Sequence, residues 1–176
     1  GYVWPLYGSY DLVWQDAGGE PTPFLASPGY DAEATACFTD GRIVFTSVRS
    51  GDLELCAANP DGSDLTQLTD TPGYDGGAFF TPDCSRIVWR ASRPEGEALA
   101  EYRALLEDEL VRPGKLEIFS MKPDGSDVRQ HTTNGAANFG PYATPDSARI
   151  VFSSNTGGNG REFDLWMVPI EGEAQP

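Results

Sequence analysis

TPDCSRIVW, residues 81–89, occurs three times in this chain with small changes. It returns as TPDSARIVF at residues 144–152 and, in a looser form, as CFTDGRIVF at residues 37–45. Each copy places turn-forming residues before an Arg-Ile-Val-aromatic run, and β-branched and aromatic residues in such a run are typical of a strand. The copies therefore predict three strands that each follow a tight turn.

A second motif repeats downstream of the first. LELCAANPDGSD at residues 53–64 matches LEIFSMKPDGSD at residues 116–127. In both copies a strand pattern enters an Asp-Gly pair, beginning at Asp61 or Asp124, and this pair is the strongest short-range signal for a hairpin. The chain is therefore an array of repeats made of short strands and turns.

The composition agrees with an all-β protein and excludes two classes of partner. Twenty Gly and fourteen Pro in 176 residues suit many short strands and argue against a helical bundle. The formal net charge of −15 repels phosphate backbones, so we expect no nucleic acid partner. No run approaches the roughly 18 apolar residues of a membrane-spanning helix, so we expect no direct membrane insertion.

The spacing of the repeats predicts β-propeller blades. Four short antiparallel strands, A to D, fit into about 43 residues, which matches the period of a blade. The predicted strands lie at 10–14 and 22–25, at 34–38, 42–47, 53–57 and 65–68, and at 139–143, 149–153 and 163–168. The predicted division is a partial blade at 1–29, a blade at 30–73, a blade with an insert at 74–136 and an incomplete blade at 137–176.

The insert, at residues 92–114, predicts a helix over 94–112. Ser92 and Glu95 have the spacing of a capping box. The apolar residues at helical spacing are Leu99, Tyr102, Leu106 and Leu110. Two interpretations stay open: the helix covers apolar edge surface, or it is a lid or partner-docking element. In the second, the acidic residues that meet the partner are Glu97, Glu101 and Glu107.

The strand count gives about three blades, whereas closed propellers use four to eight. An open arc leaves strand edges unpaired. We therefore expect the propeller to be completed by further chain or by another subunit.

These motifs resemble the TolB-like family of β-propeller repeats, relatives of the WD-type propellers. The stretches that carry the resemblance are residues 59–69, 81–89, 122–132 and 144–152. Cys84 and Ser147 replace the usual turn glycine, and His131 replaces an apolar residue of strand D. The resemblance implies a propeller made of four-stranded blades.

The resemblance also implies a function. TolB is a periplasmic propeller that binds proteins at its channel mouth and catalyses nothing, which predicts a periplasmic or extracellular scaffold for protein–protein interaction. Similar blades occur beside serine peptidases, so the alternatives are a propeller accessory domain of an exported serine peptidase or hydrolase, or an accessory subunit of a larger envelope complex. Fold alone does not choose among them.

The sequence contains little catalytic chemistry. His131 is the single histidine, there is no GxSxG motif, and neither zinc-ligand spacing nor a phosphate-binding loop occurs. We therefore predict no enzyme activity and no cofactor. Cys37, Cys56 and Cys84 lack CxxC spacing and are predicted to be small apolar residues of the sheets.

A set of polar residues precedes strand A, the innermost strand of each repeat. It consists of Asp31, Glu33, Asp75 and Asn138. Such a ring of oxygen atoms at the channel rim suits a cation or a basic peptide. In the alternative interpretation, Asp and Asn fix the turns between strand D and the next strand A.

Overall fold

The computed structural model describes residues 2–172 of the chain, and it begins with three short strands. They are β1 (Trp4–Pro5), β2 (Val13–Trp14) and β3 (Thr22–Pro23). β2 pairs antiparallel with β3, and apolar residues beside this hairpin pack against the sheet that follows. Both strands are shorter than the predicted 10–14 and 22–25.

The first whole sheet, blade 1, has four antiparallel strands. They are β4 (Asp31–Ala36), β5 (Ile43–Ser47), β6 (Glu54–Ala58) and β7 (Thr66–Gln67), paired in that order. β5 and β6 are buried at every residue. Strand A, β4, begins three residues before its predicted start, since Asp31 already pairs with Ser47.

Blade 2 has the same four-stranded order and carries the insert. Its elements are β8 (Asp75–Phe80), β9 (Ile87–Ala91), α1 (Gly96–Glu107), β10 (Leu110–Val111), β11 (Glu117–Met121) and β12 (Arg129–Gln130). The sheet order is β12-β11-β9-β8. β10 leaves this sheet and pairs with β1, which ties the start of the chain to the insert.

Blade 3 has three strands within the described residues. They are β13 (Asn138–Ala143), β14 (Arg149–Ser154) and β15 (Asp164–Pro169). The innermost strands β4, β8 and β13 lie in sequence beside one another. The predicted fold class is therefore confirmed: four-stranded antiparallel blades, one helical insertion and no closed ring among residues 2–172.

The helix is shorter than the predicted 94–112, and its predicted capping box does not form. Glu95 occupies the N-cap position without a side-chain cap. Ser92 Oγ instead accepts the backbone N–H of Tyr74 at 3.0 Å. Past the C-terminal end, Glu109 adopts a left-handed conformation with φ of 57°. That reversal ends helical geometry and turns the chain into β10.

The cores lie between blades. Between blades 1 and 2 the fully buried residues include Val44, Leu55, Ile87, Trp89 and Met121. Between blades 2 and 3 they include Val88, Ile118 and Ile150. Each sheet therefore stabilises its neighbour by burying one face against it, which is the general behaviour of repeat architectures.

The prediction for the cysteines was wrong for two of the three. Cys37 and Cys84 form a disulfide that joins blade 1 to blade 2, whereas Cys56 is a buried free thiol. Cys37 follows strand A of blade 1, and Cys84 lies in the turn between strands A and B of blade 2. Because these positions are not equivalent in the repeat, spacing along the chain gave no sign of the pairing.

No helix among residues 2–172 has the length and apolar character needed to cross a membrane.

Candidate functional site

Every innermost strand contains a bulge at the same repeat position. The pairing register shifts there in β4, β8 and β13. The bulge residues are Glu33, Gly77 and Gly140, with φ of 57°, 59° and 58°. A left-handed conformation suits glycine and strains other residues. Glu33 therefore stands at a strained position where the other two blades have glycine, and the bulge re-aims its side chain.

Strand B shows a second departure from the repeat. The equivalent positions in β5, β9 and β14 hold Thr46, Arg90 and Ser153. Arg90 is the long, charged member of this set. Glu33 and Arg90 are thus the residues that differ from their equivalents in the other repeats at these two positions. Arg90 was not among the predicted site residues, although this comparison of repeats would have identified it.

Glu33 and Arg90 form an ion pair between blades 1 and 2. Arg90 Nη2 lies 2.7 Å from Glu33 Oε1 and donates to the Tyr74 hydroxyl at 2.8 Å. Glu33 Oε2 accepts hydrogen bonds from Thr46 Oγ1, the Tyr74 hydroxyl and the Gly77 N–H at 2.9 to 3.0 Å. Burial is the main cause that raises the pKa of Tyr74 well above its ordinary value, so its hydroxyl keeps its proton and donates.

Three aromatic rings surround the guanidinium of Arg90. The ring centres of Trp4, Tyr74 and Phe139 lie 5.8, 5.5 and 5.9 Å from Arg90 Cζ, which is the distance range of cation–π interactions. Arg90 is 9% exposed, and its Nε has no hydrogen-bond partner among the described residues. We call Glu33, Arg90, Tyr74, Trp4 and Phe139 the central cluster.

Two glycines of β8 make room for this cluster. A Cβ at Gly77 would lie 1.8 Å from Arg90 Nη1, and a Cβ at Gly76 would lie 2.4 Å from the Tyr74 hydroxyl oxygen. A side chain at Gly77 would therefore displace Arg90, and one at Gly76 would displace Tyr74. The Gly76-Gly77 pair was the sequence signal for a close approach in this strand.

Asp31 and Asp75, which were predicted at the channel rim, are buried and already paired. Asp31 is 1% exposed and accepts two hydrogen bonds from Arg49, at 3.0 and 3.1 Å. Asp75 is 0% exposed and accepts two from Arg93, both at 2.8 Å. Trp89 Nε1 also donates to Asp75 at 2.6 Å. Burial nevertheless raises the pKa of Asp75, against the effect of these donors.

Asn138 is also buried, and its side chain fixes the entry to blade 3. Its Nδ2 donates to the carbonyl oxygen of Leu116 at 2.6 Å. These contacts occupy the polar atoms of Asp31, Asp75 and Asn138 within the blades, and Glu33 alone of the four reaches the central cluster. Among residues 2–172, no group of three or more His, Cys, Asp or Glu side chains is arranged to hold a metal ion.

α1 packs on the face where the D-to-A and B-to-C connections lie. Its Tyr102 is buried in one apolar cluster with Tyr74, Leu53, Val111 and Leu116. The Tyr102 hydroxyl donates to Asp52 in the B-to-C connection of blade 1. Tyr74 therefore belongs to both structures, with its ring under α1 and its hydroxyl in the central cluster.

The acidic residues predicted for partner docking lie on the exposed side of α1. Glu97, Glu101 and Glu107 are all exposed. Glu101 pairs with Arg112 across the surface, whereas the other two have no ion pair within the described residues.

His131 is a buried structural residue. It is 4% exposed, and its Nε2 lies 2.8 Å from Ser120 Oγ. Ser120 is 0% exposed and also accepts a hydrogen bond from Arg86 Nε at 3.0 Å. Burial, helped by the charge of Arg86, lowers the pKa of His131 to about 4. A substrate has no access to this serine.

The Asp-Gly motifs form hairpin turns, as predicted. Asp61 Oδ1 accepts the N–H and the hydroxyl of Ser63 at 3.0 and 2.6 Å, and Asp124 does the same with Ser126 at 2.9 and 2.6 Å. These bonds lower the pKa of both carboxyls.

Two proteins are similar to the chain in sequence, although no protein-family model matches it. The TolB homolog of Chlorobium luteolum is 23% identical over an alignment of 193 residues, which covers 93% of this chain and 44% of that protein. Dipeptidyl-peptidase 5 of Porphyromonas gingivalis is 30% identical over 111 residues, which covers 61% of this chain and 16% of that enzyme. The chain thus spans less than half the length of either relative.

The fold is similar to that of a solved TolB. The crystal structure of TolB from Acinetobacter baumannii matches with a TM-score of 0.69 and 18% identity, over 94% of this chain and 36% of that one. The repeat motifs, the four-stranded blades and these relatives agree, and the chain has a β-propeller fold similar to that of TolB proteins.

Proposed function

We propose that this chain is a non-enzymatic binding module of the cell envelope, and that it holds a protein partner on the face that carries α1 and the central cluster. One observation carries the proposal. The two departures from the regular repeat, the Glu33–Arg90 pair and the helical insert, meet at Tyr74. Turns on the opposite face stay short, and a rigid scaffold with elaboration on one face uses that face for binding.

The surroundings of the single histidine support a non-enzymatic role. His131 is uncharged near neutral pH because its pKa is lowered to about 4, and the serine beside it is fully buried. A nucleophile and its base must reach the substrate. This pair therefore offers no catalytic site.

The disulfide supports a location outside the cytosol. Cys37 and Cys84 join two blades, and such bonds persist in oxidising compartments such as the bacterial periplasm and the extracellular space. Together with the TolB-like blades, this favours a periplasmic or extracellular protein.

The test of the proposed face is removal of the insert. Residues 95–112 are replaced by a short turn, and partner capture by the variant is compared with that by the intact chain, followed by measurement of the affinity for the captured protein. We expect the β-sheet circular dichroism to persist while the affinity falls by about tenfold or more, as for loss of an interface anchor. Unchanged affinity in a folded variant would refute the proposal.

A second candidate function is an accessory propeller domain of an exported hydrolase. The match to dipeptidyl-peptidase 5 favours it. The full-length reading frame decides: a downstream α/β-hydrolase region with a GxSxG motif supports this candidate, whereas a chain that contains only propeller repeats supports the first.

A further inference from the structure

An apolar groove runs along α1. It lies between the helix and the two segments 92–95 and 112–115, and its volume is about 560 Å³. Pro94, Ala98, Tyr102 and Leu105 supply its apolar lining. The volume and lining suit one or two large apolar side chains.

The two walls of the groove differ in charge. The acidic residues of α1 and its ends are Glu95, Glu97, Glu101, Glu107, Asp108 and Glu109, all exposed. On the other wall, Arg93 is already neutralised by Asp75, Arg112 pairs with Glu101 across the groove, and Lys115 is exposed. With Arg103 of α1, three cations that Asp75 does not neutralise therefore stand against six acidic residues. The excess of charge is therefore negative, in a chain whose net charge is −15.

The ion pair between Glu101 and Arg112 spans the groove but holds its two walls together only weakly. Its side chains are 57% and 42% exposed, and exposed ion pairs add little stability because water screens them. A cation from a partner can replace Arg112 on Glu101 at small cost. The occupant of the groove thereby gains a charged contact beside the apolar one.

We propose that this groove binds a protein segment that carries a large apolar side chain flanked by lysine or arginine. The apolar side chain fills the space over Ala98 and Leu105, and the basic residues contact the acidic wall of α1. This inference rests on the proposed function, since it names the chemistry of the partner on the same face. Burial of the apolar anchor supplies affinity, and the opposite charges supply orientation and a faster association rate.

The test uses three synthetic pentapeptides and the intact chain. Lys-Lys-Phe-Lys-Lys is the expected ligand; Lys-Lys-Gly-Lys-Lys lacks the anchor, and Glu-Glu-Phe-Glu-Glu reverses the charge. Affinities are measured by NMR titration at low and high salt. We expect the first peptide to bind about tenfold more tightly than either of the others, and more weakly at high salt. Equal binding of the two lysine peptides, or tighter binding of the acidic peptide, would overturn the proposal.

A matched pair of variants locates the site. Ala98→Phe fills the groove, whereas Ala104→Phe adds the same side chain at an exposed position of α1 outside it. We expect only Ala98→Phe to weaken Lys-Lys-Phe-Lys-Lys, by about tenfold. Equal effects of the two variants would refute the groove as the site. If the removal of 95–112 still abolishes partner binding in that case, the proposed function survives without this inference.

Discussion

Glu54 is a buried carboxyl group, and one of its two oxygens accepts no hydrogen bond from the residues around it in the described part of the chain. It is 3% exposed, and its Oε2 has no partner among the described residues. Burial raises its pKa to about 8, against a hydrogen bond from Thr69, and the nearby Asp75 and Asp52 raise it further. Arg93, bound to Asp75, is the cation that opposes them.

The equivalent residue of the next repeat shows the cause. Glu117 accepts hydrogen bonds from the N–H of Gly135 at 2.7 Å and from Asn138 Nδ2 at 3.3 Å. In the preceding repeat, Pro72 takes the place of Gly135 and has no N–H to donate. Asp75 takes the place of Asn138 and has no donor when it is ionised. Two substitutions between repeats therefore removed both donors.

Replacing Glu54 with Gln should raise stability at high pH. The folded protein holds the proton up to about pH 8, whereas the unfolded chain releases it near its ordinary pKa of 4.5. The contribution to stability is therefore fully present below pH 4.5 and is lost as the pH rises to 8. Denaturant unfolding at pH 6 and pH 9 should show a loss in the wild type, of about 1–3 kcal/mol, that Glu54→Gln lacks.

Glu117→Gln is the matched control for this prediction. Its amide would point a donor at groups that already donate, so it should lower the free energy of unfolding by about 1–3 kcal/mol. An identical pH response of wild type and Glu54→Gln would contradict the account of Glu54.

The strain at Glu33 can be separated from its ion pair. Glu33→Ala and Glu33→Gly both leave Arg90 without its partner, which should cost roughly 3–5 kcal/mol for a buried pair. Only glycine relieves the left-handed φ of 57°, so the glycine variant should be more stable than the alanine variant by about 1 kcal/mol in denaturant unfolding.

Gly140→Ala measures the backbone cost alone. Gly140 has the same bulge position and a φ of 58°, and a Cβ there would meet no atom within 4 Å. The loss of unfolding free energy in Gly140→Ala should equal the difference in unfolding free energy between Glu33→Gly and Glu33→Ala. Equal stabilities of Glu33→Ala and Glu33→Gly would show that the bulge relaxes around a side chain.

At the scale of elements, the disulfide adds a covalent cross-link between two sheets that otherwise meet through packing, hydrogen bonds and the Glu33–Arg90 ion pair. Cys37 and Cys84 are separated by 47 residues, and closing a loop of that length stabilises a fold by roughly 3–4 kcal/mol. Cys37→Ser with Cys84→Ser should lower the thermal midpoint by several degrees, as differential scanning calorimetry can measure.

Reductant supplies the control for the disulfide. It should lower the midpoint of the wild type and leave the double variant unchanged, because Cys56 is unpaired in both. A reductant-insensitive wild type would show that this bond carries no stability.

The strands were predicted well from the sequence because each repeat contains turn-forming residues that mark where its strands begin and end. The strand-B prediction of 42–47 lies one residue from β5, and 149–153 lies within β14. Local signals such as Pro-Asp and Asp-Gly act over a few residues, so they can be found without knowing the fold. The helix was predicted too long because the residues after Glu107 pair with Trp4 and Pro5, a contact distant in sequence.

The site was predicted only in part for the same reason. Glu33 was named from its place just before the predicted strand A, whereas Arg90 and Trp4 lie on other strands and reach Glu33 or Tyr74 only in the folded chain. The disulfide joins non-equivalent positions of neighbouring blades. To predict the central cluster or the disulfide, one must know how neighbouring blades are placed side by side. The repeat period and the composition of the chain do not contain that information.

At the scale of the whole molecule, the two faces of blade 3 differ. On one side of blade 3, Ile150 and Phe152 are buried against blade 2. On the other side, Val151 and Met167 are cross-strand neighbours on one face, with Leu165 opposite Ser153 beside them. Leu165 and Met167 are 80% and 50% exposed. The outer edge of β15 has no partner strand within residues 2–172.

This apolar face and open edge should make the 176-residue chain associate with itself at high concentration. Leu165→Lys with Met167→Lys should keep it monomeric in sedimentation velocity, because charge on an edge strand blocks edge-to-edge pairing. Thermal stability should change little, since both side chains are exposed. Phe38→Lys is the control, since Phe38 is 81% exposed but lies on blade 1, and it should leave association unchanged. A wild-type chain that stays monomeric at every concentration would show that this face needs no covering partner.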